Sequence, residues 1–248
     1  AEGIDLEIQE GRGSAATTQA VAAKTANFGY VDVPTMMRAA VKGAPVISTG
    51  VLLQTSPMSA MGFVEKNIKK PEDIKGKTVA ITPADSMTQI WPLFLKKTGL
   101  KESDFQTVAG DGQTKLNAVI NGQADLLLGY VMDQSMKIKD ATGKDVNAIK
   151  FADYGINMVC SGIVANTEFV KANADLVRRF MSATTKAVEA AEKDARAAAQ
   201  SILDANPKGG KIETLTKGFE LTIPLYRTAE TKGKRPFQVT DQNMTDTV

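Results

Sequence analysis

Apolar and polar positions follow two rhythms along this chain, and the switches between them mark its elements. Over Ile4–Gln9, IDLEIQ, the two alternate with period two, which predicts a half-buried strand. Gly11 and Gly13 turn the chain, and Ser14 reads as the N-cap of a helix reaching Ala23. NFGYV (27–31) predicts a short strand, and Pro34 opens a helix that Gly43 stops. PVISTGVLL (45–53) is an apolar, β-branched run of the kind found in a covered sheet, and SAMGFVEK (59–66) reads as the next strand.

Lys77 to Ile81 predicts a strand, and Thr82 to Ser86 a turn into a helix that ends at Gly99. Pro92 has no amide to donate, so that helix is expected to kink there or to begin near Trp91. FQTVAG (105–110) predicts a strand, Thr114 to Asn121 a helix stopped by Gly122, and ADLLLGY (124–130) another strand. A helix over 133–140, a strand over 148–152 and a long apolar strand, MVCSGIVAN (158–166), follow. From Asn173, read as a cap, the pattern is helical for two or more elements, with Leu176, Phe180, Ala183 and Ala187 on one stripe. Asn206-Pro207 and Gly209-Gly210 close it.

Alternating strands and helices predict an α/β fold with a largely parallel sheet. One pattern occurs twice. ANFGYVD (26–32) is echoed by ADLLLGYVMD (124–133), and each follows a Gly-x-Gly and a helix-like segment carrying Ala-Val. Two copies of one unit predict two similar lobes: residues 1–58 with 165–248, and residues 59–164. The strands SAMGFVEK and MVCSGIVAN are expected to cross between them. In open α/β sheets ligands sit beyond the carboxyl ends of strands, near helix N-termini. Both Gly-Tyr-Val stretches fall at such ends, so each lobe is expected to bring one wall to a shared cleft.

Composition narrows the chemistry. Of 248 residues 43% are hydrophobic and 23% charged, ordinary values for a globular protein. A net charge of +2 gives no footprint for nucleic acid, and the runs KNIKK and KGKR read as solvated surface. With no histidine and one cysteine, Cys160, the chain lacks the parts for Ser-His-Asp or Cys-His catalysis and for His-ligated or multi-Cys metal sites. Cys160 lies in an apolar run and reads as a buried, inert thiol. No apolar stretch reaches the length of a membrane span, and no signal peptide is visible. The chain starts without Met at the end of a helix and loop, and stops where a last helix begins; it is expected to be trimmed or incomplete at both ends.

The candidate ligand residues lie in the inward loops. In GRGSAATT, Gly13, Ser14 and Thr17 offer backbone N–H groups and hydroxyls, though a plain turn with an N-cap fits equally well. No further glycine completes a dinucleotide fingerprint, which excludes NAD. In GYVDVPT, Tyr30 suits stacking on a ring, and Asp32 suits either a ring amine or the cap of the following helix. In TPADSMTQ, one of Asp85 and Ser86 caps, and the other group or a free amide faces a ligand. Tyr130, Asp133 and Gln134 mirror the second loop, and Tyr154 is a looser candidate. Trp91 reads as core, and Arg12 is the only basic residue in these loops. Neither a catalytic residue nor a metal or cofactor site is expected.

Four stretches carry a resemblance. The run DLEIQEGRGSAATTQAVAAKTANFGYVDVPTMMRAAVKGAPV, then KKPEDIKGKTVAITPADS, NAVINGQADLLLGY and GIVANTEFVKANADLVRRFMSATTKAV, is similar in that order to the solute-binding proteins of ABC importers. The likeness is to the group for thiamine pyrimidine precursors, nitrate, sulfonate and taurine. It extends to about Ala191; the tail after Gly210 matches poorly. The resemblance implies a type II periplasmic-binding-protein fold: two α/β lobes, a hinge of two strands and a cleft that closes on ligand. The family begins one strand and one helix earlier than Ala1, so those elements count as missing.

The resemblance also implies a periplasmic or lipid-anchored location, a membrane permease with its ATPase as partners, a small-molecule solute and a monomer that is not an enzyme. Tyr30, Asp32, Tyr130 and Asp133 suit an aromatic heterocycle such as a thiamine pyrimidine precursor. The alternative solutes are a sulfonate, nitrate or other small anion, which call for convergent donors and a cation. A thiamine-pyrimidine synthase is a further alternative, set against the lack of histidine and of a cysteine-rich stretch. So is the effector domain of a transcriptional regulator, set against the lack of a DNA-binding head.

Overall fold

Glycine and proline breaks divide the chain of the computed structural model, which describes residues 2–245 and residue 247. In order come α1 (Ser14–Ala22), β1 (Phe28–Asp32), α2 (Val33–Val41), β2 (Val46–Val51), β3 (Met58–Phe63), β4 (Thr78–Ile81) and α3 (Ser86–Thr98). Then follow β5 (Gln106–Ala109), α4 (Gly112–Ile120), β6 (Leu126–Tyr130), α5 (Val131–Thr142), β7 (Val146–Lys150) and β8 (Ser161–Asn166). The remainder is helical: α6 (Thr167–Ala172), α7 (Ala174–Lys193), α8 (Ala195–Ala205), α9 (Ile212–Thr222) and α10 (Asp241–Thr245). These elements form two units, Ala1–Thr55 with Met158–Val248, and Ser56–Asn157.

The first unit holds a three-stranded sheet in the order β1-β8-β2, with β8 antiparallel to both neighbours. Val21, Val31, Val33, Val46, Val51 and Val164 fill its core, branched side chains that pack well on a pleated surface. At the centre β2 and β8 approach so closely that a Cβ on Gly162 would lie 2.3 Å from the Gly50 carbonyl oxygen, so no larger residue fits there. The tail packs on this unit. Val51 N–H donates to Phe237 O (3.2 Å), Gln54 N–H to Leu225 O (2.8 Å), and the Gln54 side-chain amide to Gln238 O (2.8 Å).

The second unit holds five strands in the order β5-β4-β6-β3-β7. β4 pairs in parallel with β5 and β6, while β3 runs antiparallel to β6 and β7. Leu126, Leu127 and Leu128 of β6 are all buried, as an unbroken apolar run is when both faces of a strand are covered. On one face lie Met61, Leu116, Val119 and Ile138. Elsewhere in this unit Phe94 and Phe151 stack at 4.3 Å between ring centroids, with Trp91 5.1 Å from Phe94.

Several expectations are corrected. IDLEIQ forms no strand: Leu6 and Ile8 stand 56% and 85% exposed, because a period-two pattern makes a strand only where an edge pairs with it and a face covers it. The first sheet is antiparallel and the second mixed, rather than largely parallel, since β3 and β8 run against their neighbours. Neither of these two strands crosses between units. Each is internal to one sheet, and the passages at residues 55–56 and 157–158 are irregular. α3 begins at Ser86 and runs through Pro92 to Thr98. Ser14 is the first helical residue and Gly13, with φ +102°, is the cap position. Asn173 sits at the start of α7 but gives its amide to Phe169 O. The buried stripe of α7 is Val177, Thr185 and Ala191, with Ala187 exposed.

Candidate functional site

In the first unit β1 ends at Asp32, and α1 meets it there. Asp32 N–H donates to Ser14 Oγ at 3.0 Å, which fixes the start of α1 beside the end of the strand. Thr17 lies one turn further on, with its methyl where a Cβ on Gly29 would stand, so that glycine lets helix and strand touch. Asp32 is 1% exposed. Its Oδ2 accepts from Thr35 N–H (3.1 Å) and Thr35 Oγ1 (2.8 Å), capping α2, and Cys160 Sγ–H donates to its Oδ1 at 3.6 Å. Burial pushes the Asp32 carboxyl above its ordinary value, against the hydrogen bonds from Thr35 and Cys160. Tyr30, two residues earlier on the same strand, is 51% exposed. Burial pushes its phenol above the ordinary value, against a hydrogen-bonding contribution from Ser161, the neighbour of Cys160.

In the second unit the turn after β4 and the end of β6 come together. Ser86 Oγ and Tyr130 Oη are 3.4 Å apart. Asp85 caps α3: Thr88 N–H donates to its Oδ1 at 2.8 Å, and Thr88 Oγ1 lies 3.1 Å from the same oxygen. Its Oδ2 is 3.5 Å from Lys115 Nζ, whose side chain is only 5% exposed. Tyr130 takes the cap position of α5 without capping it. Asp133 stands in the first turn of α5, about half exposed, paired with Lys137 Nζ (2.9 Å) and Gln134 Nε2 (2.8 Å).

The predicted residues therefore fall into two groups, with one outlier. Gly13, Ser14, Thr17, Tyr30 and Asp32 gather in the first unit, and Asp85, Ser86, Tyr130 and Asp133 in the second. Tyr154 packs edge-on against Phe94, and partial burial, with the nearby charges of Glu72, Asp153 and Asp73, pushes its phenol up. Glu72 and Asp73 belong to the turn that leads into β4, at the far end of that strand from Ser86. Arg12 is exposed. Ser161 and Lys115 went unread in the sequence: Ser161 lies inside an apolar strand, and Lys115 shows itself only when α4 is known to bury Leu116, Ala118 and Val119 beside it. Among the described residues no group of three or more His, Cys, Asp or Glu side chains offers a metal site, and no helix is long and apolar enough to cross a membrane.

The architecture is that of the periplasmic binding proteins. The alkanesulfonate-binding protein SsuA from Xanthomonas axonopodis pv. citri, solved with MOPS bound, superposes with a TM-score of 0.71 at 15% identity, covering 96% of this chain and 77% of that one. Residues 1–198 match the family model described as NMT1/THI5 like, and the chain belongs to that family. Two relatives show its range. The riboflavin-binding protein RibY of Chloroflexus aurantiacus is 26% identical over 147 residues, 58% of this chain and 41% of that protein. The 4-amino-5-hydroxymethyl-2-methylpyrimidine phosphate synthase of Legionella pneumophila is 24% identical over 227 residues, 91% of this chain and 71% of the enzyme. The expectation that the chain is not an enzyme is corrected by this second relative. A protein named as a synthase matches nearly the whole chain, at 24% identity.

Proposed function

We propose that this chain is the solute-binding component of an ABC importer and captures an aromatic heterocycle, a flavin or a thiamine pyrimidine precursor. The observation that carries the reading is a tyrosine at a strand end near a serine in each unit: Tyr130 Oη lies 3.4 Å from Ser86 Oγ, and Tyr30 lies on the strand that pairs with the start of β8 at Ser161. A phenol ring gives a face for stacking, and paired hydroxyls both donate and accept, which matches the edge of a nitrogen heterocycle. Ser14, Thr17, Asp32 and Asp85 hold these tyrosines and serines in place. On this reading the protein works as a monomer in the periplasm or on a lipid anchor, and hands its solute to a permease and its ATPase. A small anion fits less well, since Lys115, the cation near Ser86, is paired with Asp85.

The relationship to the pyrimidine phosphate synthases favours a second reading, in which the same hydroxyls hold a pyrimidine for chemistry. Mass spectrometry of the small molecule released on denaturing natively purified protein tests both. A flavin or pyrimidine recovered unchanged after incubation supports capture. A converted product supports the synthase. A released sulfonate or nitrate overturns the heterocycle.

A further inference from the structure

Lys115 is the least expected side chain near Ser86. It lies on the inner face of α4, 5% exposed, and its ammonium has one partner among the described residues, Asp85 Oδ2 at 3.5 Å. Burying an ammonium is costly, so the pairing needs a purpose. Capping is not that purpose. Asp111 and Asp194 cap α4 and α8 in the same way, through Thr114 N–H (2.7 Å) and Ala197 N–H (2.9 Å), with no buried cation beside them. What distinguishes Asp85 is its place: it adjoins Ser86, whose hydroxyl faces Tyr130. A carboxylate there, poorly screened by water, would project its charge onto anything bound at these hydroxyls.

We propose that Lys115 is a specificity-determining residue, which cancels the Asp85 charge and so limits how strongly the Ser86–Tyr130 face prefers uncharged solutes over their phosphorylated forms. This rests on the reading of the chain as a binder of heterocycles and adds the charge class of the solute. Lys115 acts on the solute through the charge of Asp85, the partner of its ammonium.

The test uses the full chain as wild type, Lys115→Met, Asp85→Asn and the double variant. Two probe pairs are titrated by calorimetry: riboflavin with riboflavin phosphate, and hydroxymethylpyrimidine with its phosphate. The wild type is expected to prefer the uncharged member of a pair by tenfold or more. Lys115→Met leaves Asp85 uncompensated and should widen that preference at least threefold. Asp85→Asn leaves the ammonium uncompensated and should narrow it at least threefold. The double variant should return to the wild-type ratio. Loss of packing alone would weaken both members of a pair equally, so opposed shifts in the two single variants are the signature. If Lys115→Met fails to fold, Asp85→Asn and the double variant still carry the comparison. A wild type that prefers the phosphates, or ratios equal in all four proteins, overturns the proposal. A wild type that binds no probe overturns the heterocycle reading itself, and this proposal falls with it. Thermal midpoints of the four proteins then still show whether Asp85 and Lys115 are coupled.

Discussion

Two tyrosines written in the same tripeptide, Gly-Tyr-Val, end up in different settings. Tyr30 stands half exposed above a buried aspartate that caps the next helix. Tyr130 stands at the start of its helix, and the matching aspartate is solvated on the first turn. Two shifts account for the difference in the aspartates: α5 begins directly after Tyr130 whereas α2 begins three residues after Tyr30, and the second copy carries one inserted residue, Met132. Together they place Asp133 past the cap and out towards water, one position further from the tyrosine than Asp32 is. The repeat therefore preserves the ring and its serine partner while the acid is free to take another role. In the second unit the capping aspartate near the tyrosine belongs to another helix, since Asp85 caps α3.

This comparison predicts effects of decreasing size. Asp32→Ala should cost about 2 kcal/mol of stability, since it removes a cap and leaves buried donors of Thr35 unsatisfied. Urea unfolding measures this, and a cost near zero would mean that Asp32 is not holding α2. Next, Tyr30→Ala and Tyr130→Ala should each weaken binding of the released solute roughly tenfold, about 1.4 kcal/mol, while the circular dichroism spectrum stays native. Unchanged affinity in both variants would take the tyrosines out of the site and leave the fold standing.

The third effect depends on pH. Burial raises the Asp32 carboxyl, so its favourable share of stability is complete below the unfolded value, about 4, and is lost as pH rises through the folded one. Asp32→Asn does not titrate and can still cap. The stability advantage of the wild type over this variant should therefore be greatest at low pH and shrink as pH rises. An advantage that grows with pH would reverse the sign assigned to Asp32. Smallest of all, Asp133→Ala should change stability by no more than about 0.5 kcal/mol, because its pair with Lys137 is exposed and screened. A cost matching that of Asp32→Ala would erase the difference between the two units.

Much of the fold was legible in local pattern. Apolar runs located β1 to β8 to within a few residues, and glycines marked the ends of α3 and α4, because strand and helix periods and φ-permissive stops are local properties. Strand direction was not legible: nothing within MSAMGF or SGIVAN says which strand lies alongside. The candidate residues were recognised by type and loop. Their roles were not, since Ser14, Asp32 and Asp85 each bond partners that lie elsewhere or whose geometry the sequence does not state.

The sequence by itself determined the order of the elements, the doubled Gly-Tyr-Val and the absence of histidine chemistry, all of which are properties of neighbouring residues or of composition. Only the tertiary structure decided that IDLEIQ stays unpaired, that β3 and β8 run against their neighbours, and that Ser161 and Lys115 stand beside Tyr30 and Asp85. Pairing, burial and the partner of a charge each depend on a segment distant along the chain. Their free energies are set by what that segment brings, whatever the local pattern says.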